Sequence, residues 1–321
     1  RLIGLIDKSF CKFCWITNLS AVFCHHCIED TQKVDFNKRF FRRIEENCWD
    51  EDFRVKEYQD FATTVQVVCT IPVLFSYWAA PKDCLESSCF LNDHIADLVA
   101  RYPKNYIGLG TIPMQDVDSA IQELKRCKEI GLVGVQIGSN INDKNLGEPE
   151  FYPIFEAMAE LDMAVMIHPW QMMGQEHMAK YWLPWLVGMP AESSLAICSM
   201  IFGGVFEKFP KLRVAFAHGG GSFPATIGRI EHGYHVRPDL VAVDNPINPR
   251  DYLSKIYFDT LVHDPLMMNY LMDLVGPNQL ALGTDYPFPL GELSPGKLID
   301  SMPYNDEIKE RLFNGYQISK L

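Results

Sequence analysis

The sequence is short of positive charge, of long apolar runs and of any glycine-rich nucleotide fingerprint. Lysine and arginine number 29 against 41 aspartate and glutamate, a net charge of −12. Nucleic acid and anionic membrane both call for a basic footprint, so neither is an expected partner. No apolar run approaches the ~18 residues of a membrane-spanning helix. No G-x-G-x-x-G follows an early strand pattern, which turns the reading away from a doubly wound dinucleotide fold. Ten cysteines in 321 residues, irregularly spaced and mostly in apolar stretches, are too sparse for a disulfide scaffold. They point to a reducing, cytosolic setting. A chain 48% hydrophobic and 22% charged is not a disordered one. The opening is Arg1 rather than Met, so a processed start or a fragment is expected, and Asp7, Lys8 and Lys12 interrupt any signal-peptide core.

What the sequence does hold is a rhythm. From about residue 63, short β-branched runs alternate with segments of helical period. The strand candidates are 64–70 (TVQVVCT), 106–112, 134–138 (GVQIG), 164–168 (AVMIH), 213–218, 256–259 (IYFD) and 279–284. Most are apolar throughout, as strands buried on both faces of a parallel sheet are. Helices are expected at 116–130, 151–161, 191–209 and 265–275, the first with an acidic start and Gly131 past its end. Seven strand–helix units with one strand missing or obscured at the start predict a (β/α)8 barrel. No internal repeat or linker is visible, and residues 32–60 form a charged excursion.

A barrel gathers its site where strands end and βα loops begin. Three predicted strands end in His168-Pro169-Trp170, His218-Gly219-Gly220-Gly221 and Thr284-Asp285-Tyr286. Barrel closure aims both imidazoles and the carboxylate at one mouth, a donor set suited to zinc or a similar divalent ion or to acid–base work. His263 is a supporting candidate at a further strand end. His94, His177, His232 and His235 are expected mostly exposed. A net-acidic enzyme that takes a carboxylate substrate needs local guanidinium groups, for which Arg42, Arg43, Arg229 and Arg237 are candidates. Phe75, Tyr77 and Trp78, with Trp170, Tyr181, Trp182 and Trp185, suit either a pocket wall or ordinary core.

The runs NCWD (47–50), PVLFSYWA (72–79), GLGTIPMQ (108–115), KYWLPWLVGMPAE (180–192), AHGGGSFP and LGTDYPFPLGEL are specific. Over about residues 39–321 the chain resembles the amidohydrolase superfamily, and within it the 2-amino-3-carboxymuconate-6-semialdehyde decarboxylases. The resemblance implies a distorted TIM barrel with a small insertion at about 39–62. It implies zinc-dependent, non-oxidative loss of CO2 from a dicarboxylate intermediate of tryptophan and kynurenine breakdown, which limits quinolinate formation. On the same ground His168 and Asp285 would be metal ligands and His218 the proton-transferring catalytic residue. Arg42, Trp185 and Phe288 would bind substrate. Arg229 would do so from the other subunit of a homodimer.

The chain departs from the family at its start. The H-x-H of the family's first strand is absent, and the adjacent His25 and His26 would point to opposite faces of a strand. Residues 2–7 (LIGLID) could form a first strand without those ligands. Cys11, Cys14, Cys24 and Cys27 form two C-x2-C pairs, the spacing of a zinc knuckle, without the glycines that usually turn one. Residues 1–38 are therefore expected to be a divergent segment ahead of a barrel domain spanning 39–321. Two other functions stay open at this point: a metal-poor pseudoenzyme acting as a binding partner, and a sibling decarboxylase or hydrolase acting on another carboxylate.

Overall fold

The computed structural model describes residues 45–59 and 65–314, together with the backbone of the strands Gln32–Val34 and Phe40–Arg43. Residues 2–7 and the four early cysteines lie outside the described residues. The chain divides into two compact units, 1–60 and 61–321. In the first, the two short strands pair antiparallel, with Lys33 opposite Arg42. The helix Glu51–Tyr58 follows, its N-terminus capped by Asp50, which accepts from the Phe53 N–H at 2.8 Å.

The second unit is built on one parallel sheet. Its strands are β1 (Gln66–Val68), β2 (Tyr106–Gly110), β3 (Gly134–Gly138), β4 (Ala164–His168), β5 (Val214–Phe216), β6 (Ile256–Asp259) and β7 (Leu280–Ala281). They lie side by side in chain order. The helices that return the chain are α1 (Pro81–Arg101), α2 (Val117–Glu129), α3 (Tyr152–Glu160), α4 (Met189–Phe202), α5 (Phe223–Val236), α6 (Pro265–Val275) and α7 (Asp306–Asn314). This is the TIM-type βα order, with seven strands among the described residues and β1 and β7 at the two edges. All five residues of β3 are buried, which is why that strand reads as apolar without alternation.

Strands at 134–138, 164–168 and 256–259 fall where the sequence places them, and so does the helix at 265–275. The last predicted strand, 279–284, is shorter because the Leu282 N–H donates to the Leu312 carbonyl of α7 rather than along the sheet. The predicted helix 191–209 is in fact two, α4 and Val205–Lys208, separated by Gly203 and Gly204. Gly204 is left-handed at φ +71, and a Cβ on Gly203 would sit 2.6 Å from the Gly147 carbonyl oxygen. Helix α1 gives a weak sequence signal because its buried face is Cys84, Ser87, Ser88, Asn92 and Ile95.

One expectation is corrected here. Taken with the π-helical turn ahead of α4, Pro184–Phe202 is long and apolar enough, by length and composition, to cross a membrane. Of that stretch 39% is buried, and the buried Glu192 accepts from Asn140 Nδ2 at 3.0 Å.

Candidate metal centre

His168 is the last residue of β4, held in register opposite Gly138 of β3. His218 opens the turn after β5, and Asp285 follows β7. Their ligand atoms all lie within 4.8 Å of one another. The two imidazole rings meet edge to face, with centroids 4.8 Å apart. His168 is buried, and the other two are half-buried.

The protonation of His168 follows from its surroundings. Its Nδ1 lies 2.9 Å from the Pro169 carbonyl oxygen, which can only accept, so Nδ1 carries the hydrogen and Nε2 keeps a bare lone pair. Burial, with His218 beside it, pushes the pKa of this imidazole down to about 3. Burial likewise pushes His218 down to about 4, and His263 acts in the same direction. Two neutral imidazoles and a carboxylate, one imidazole fixed in its tautomer by a backbone acceptor, fit a divalent cation. The backbone is unusual at the same places: His218, His263 and Asp285 have φ of +57, +59 and +49. Non-glycine residues in this region are held there by what surrounds them.

The loops are pinned from behind. Glu192 of α4 accepts from Asn140 Nδ2 at 3.0 Å and from the Met173 N–H at 2.9 Å, and Ser139 Oγ donates to it at 3.3 Å. Ser139 Oγ also accepts from the Trp170 N–H at 2.9 Å, and Asn140 Nδ2 donates to the Trp170 carbonyl at 2.7 Å. Together they fix the loop 169–173 that leaves His168. On the other side, the buried Asp259 at the end of β6 accepts from the His218, Gly219 and Leu261 N–H groups. Burial raises its pKa, and these backbone bonds act against that rise.

The remaining predicted residues are distributed as follows. Trp185 lies half-buried in the π-helical turn Pro184–Gly188, its ring 5.8 Å from that of Trp182. Phe288 follows Asp285 in one turn, its N–H donating to the Asp285 carbonyl at 3.0 Å. Arg229 is exposed on α5 and makes no ion pair among the described residues. Arg42 lies in the strand Phe40–Arg43 of the first unit, and its side chain lies outside the described residues. His263 is exposed but close enough to act on His218. His94, His177, His232 and His235 are all exposed. Phe75 and Tyr77 are core, stacked at 5.5 Å, and the Tyr77 hydroxyl accepts from the Gly138 N–H at 3.0 Å.

The amidohydrolase family model matches residues 34–315. The 2-amino-3-carboxymuconate-6-semialdehyde decarboxylase of Dictyostelium discoideum is 56% identical, covering 91% of this chain and 81% of that protein. The chain belongs to this decarboxylase family of amidohydrolases. The Caenorhabditis elegans relative of the same name is 35% identical over 89% of this chain and 84% of its own. Membership places the chain among the carboxy-lyases. In fold it is similar to the Metarhizium anisopliae IDCase in apo form, with a TM-score of 0.78, 21% identity and coverage of 89% and 83%. It is similar also to the 5-carboxyvanillate decarboxylase LigW from Sphingomonas paucimobilis, with a TM-score of 0.77, 24% identity and coverage of 84% and 82%.

Sequence reasoning passed over Asp259 and Glu192. Asp259 ends a predicted strand, as His168 does, and that position was its available signal. Glu192 carried none, since a glutamate in the first turn of a helix is ordinary dipole chemistry.

Proposed function

We propose that the chain removes CO2 from 2-amino-3-carboxymuconate 6-semialdehyde without oxidation, giving 2-aminomuconate 6-semialdehyde in tryptophan and kynurenine breakdown and limiting quinolinate formation. The observation that carries this reading is the convergence of His168, His218 and Asp285 at three strand ends, in a chain 56% identical to a decarboxylase of that name. In this reading His168, through Nε2, and Asp285 hold a zinc ion. A bound zinc ion supplies Lewis acidity, offsetting negative charge and acidifying water.

The chain's own groups do the rest. His218, kept neutral by burial, takes up a proton from water at a ring nitrogen and delivers it to the carbon that loses CO2. The family resemblance assigns Arg42 and Arg229 to the two carboxylates of the substrate, which planar guanidinium groups suit. Trp185 and Phe288 border the pocket and exclude water. The family resemblance assigns Arg229 to the site of a second copy in a homodimer, a role its exposure on α5 allows. The free thiols of Cys84, Cys89, Cys127 and Cys198 accord with a cytosolic location.

The test is CO2 release from this substrate by the chain supplied with zinc, set against a chelated control. Zinc-dependent release supports the reading. A folded, zinc-loaded chain that releases none refutes it, and release from an aromatic acid instead would assign it a sibling substrate.

A further inference from the structure

We infer that Asp259 is the positioning residue for His218, acting on its backbone rather than on its ring. Oδ2 of Asp259 accepts from the His218 N–H at 2.9 Å, and Oδ1 accepts from the Gly219 N–H at 2.8 Å. Oδ1 also accepts from its own strand's continuation, the Leu261 N–H, at 3.1 Å. All three partners are main-chain donors, so the buried charge is directed at the turn rather than at a basic side chain. His218 and Gly219 are both left-handed, at φ +57 and +60. Their successive N–H groups, in one turn, both donate to this carboxylate, as in the main-chain concavities that take an anion. A carboxylate seated there fixes the direction in which the His218 side chain leaves the backbone.

The packing is arranged to admit this carboxylate. A Cβ on Gly283, just before Thr284 and Asp285, would lie 2.4 Å from Asp259 Cβ and 2.8 Å from its Oδ2. Only glycine leaves that space. The strand end that leads to Asp285 and the turn that carries His218 therefore close on the same group. Asp259 sets one relative to the other without touching substrate.

The inference rests on the proposed role of His218 in proton transfer, and the test separates the two. Asp259→Asn keeps the shape but leaves one acceptor oxygen and turns an NH2 group toward an N–H donor. In the full chain loaded with zinc, hydrogen exchange is read residue by residue, zinc content is measured, and kcat and KM are determined. The expected result is exchange at His218 and Gly219 at least about 10-fold faster, with zinc retained. With it, kcat falls by about 100-fold while KM stays within about 2-fold, as for a displaced reacting group. Unchanged exchange in a folded variant overturns the inference. So does faster exchange spread evenly over the barrel with zinc lost, the mark of a merely structural role. If the native chain itself releases no CO2, the proposed activity fails while exchange and zinc content still judge Asp259. If Asp259→Asn does not fold, Gly283→Ala displaces the same carboxylate with its charge intact and is read by the same measurements.

Discussion

Replacing Glu192 tests whether the loop behind His168 is held from helix α4. The carboxylate is 2% exposed and accepts three hydrogen bonds. In Glu192→Ala two of the donors keep another partner, because Ser139 Oγ and Asn140 Nδ2 also donate to the Trp170 carbonyl, at 3.2 and 2.7 Å. Among these donors only the Met173 N–H loses its acceptor outright. That donor is only part-buried, on a residue 49% exposed, so its loss costs about 1 kcal/mol, the low end for an orphaned donor. The cavity adds roughly 1 kcal/mol. The sum is a destabilisation of about 2 kcal/mol, read as a lower urea midpoint at unchanged slope. Glu192→Gln keeps the volume and one acceptor but faces an NH2 group to a donor, so it should lose about 1–2 kcal/mol. Both variants loosen the carbonyl that fixes the His168 tautomer, and zinc affinity should fall about 10- to 100-fold in a chelator competition. If Glu192→Ala lost less than about 0.5 kcal/mol and bound zinc like the native chain, the loop would be held by something else and this reasoning would be wrong.

Three further outcomes are expected. His218→Ala should lose most turnover yet keep its zinc; equal loss of metal would make His218 a ligand instead. Arg126→Ala should destabilise the protein by about 2 kcal/mol in urea unfolding, since it strips the buried Glu123, which Arg126 Nη2 meets at 2.8 Å, of its cation, leaving Asn92, Cys89 and Cys127 as donors. Burial holds the Cys84 and Cys198 thiols up, at about 11 and about 12, against an ordinary 9.0. The unfolded thiols ionise first, so this stability is whole below pH 9 and is lost as pH rises toward 11 and 12. Thermal melts at pH 8 and pH 10.5 should therefore show a fall in Tm that is smaller in a variant with both cysteines replaced by alanine; an equal fall would place the alkaline sensitivity elsewhere.

Much of the barrel was legible because its strands are buried on both faces. GVQIG, AVMIH and IYFD carry no polar alternation to mislead, and their ends are marked by Gly138, His168 and Asp259. Where length failed, the cause was tertiary: Leu282 leaves the ladder for a carbonyl of α7, which no local pattern reveals. Helix α1 hid because two serines and an asparagine face the core, with Asn92 bonding both to the Thr111 backbone and to Glu123. At the site, His168, His218 and Asp285 were visible as residue types at strand ends. Asp259 acts on backbone N–H groups, and Glu192 on one such group and on two side chains distant in the chain, so neither set of partners leaves a mark in a sequence.

The tautomer of His168 depends on a carbonyl oxygen that belongs to the main chain of Pro169. No substitution can delete that acceptor; only a shift of the loop can remove it. Substitutions that impair metal retention should thus be found beyond the donor set as well, among Ser139, Asn140, Glu192 and their neighbours. A screen for activity restored by excess zinc would find them there, where a census of ligands alone would never look.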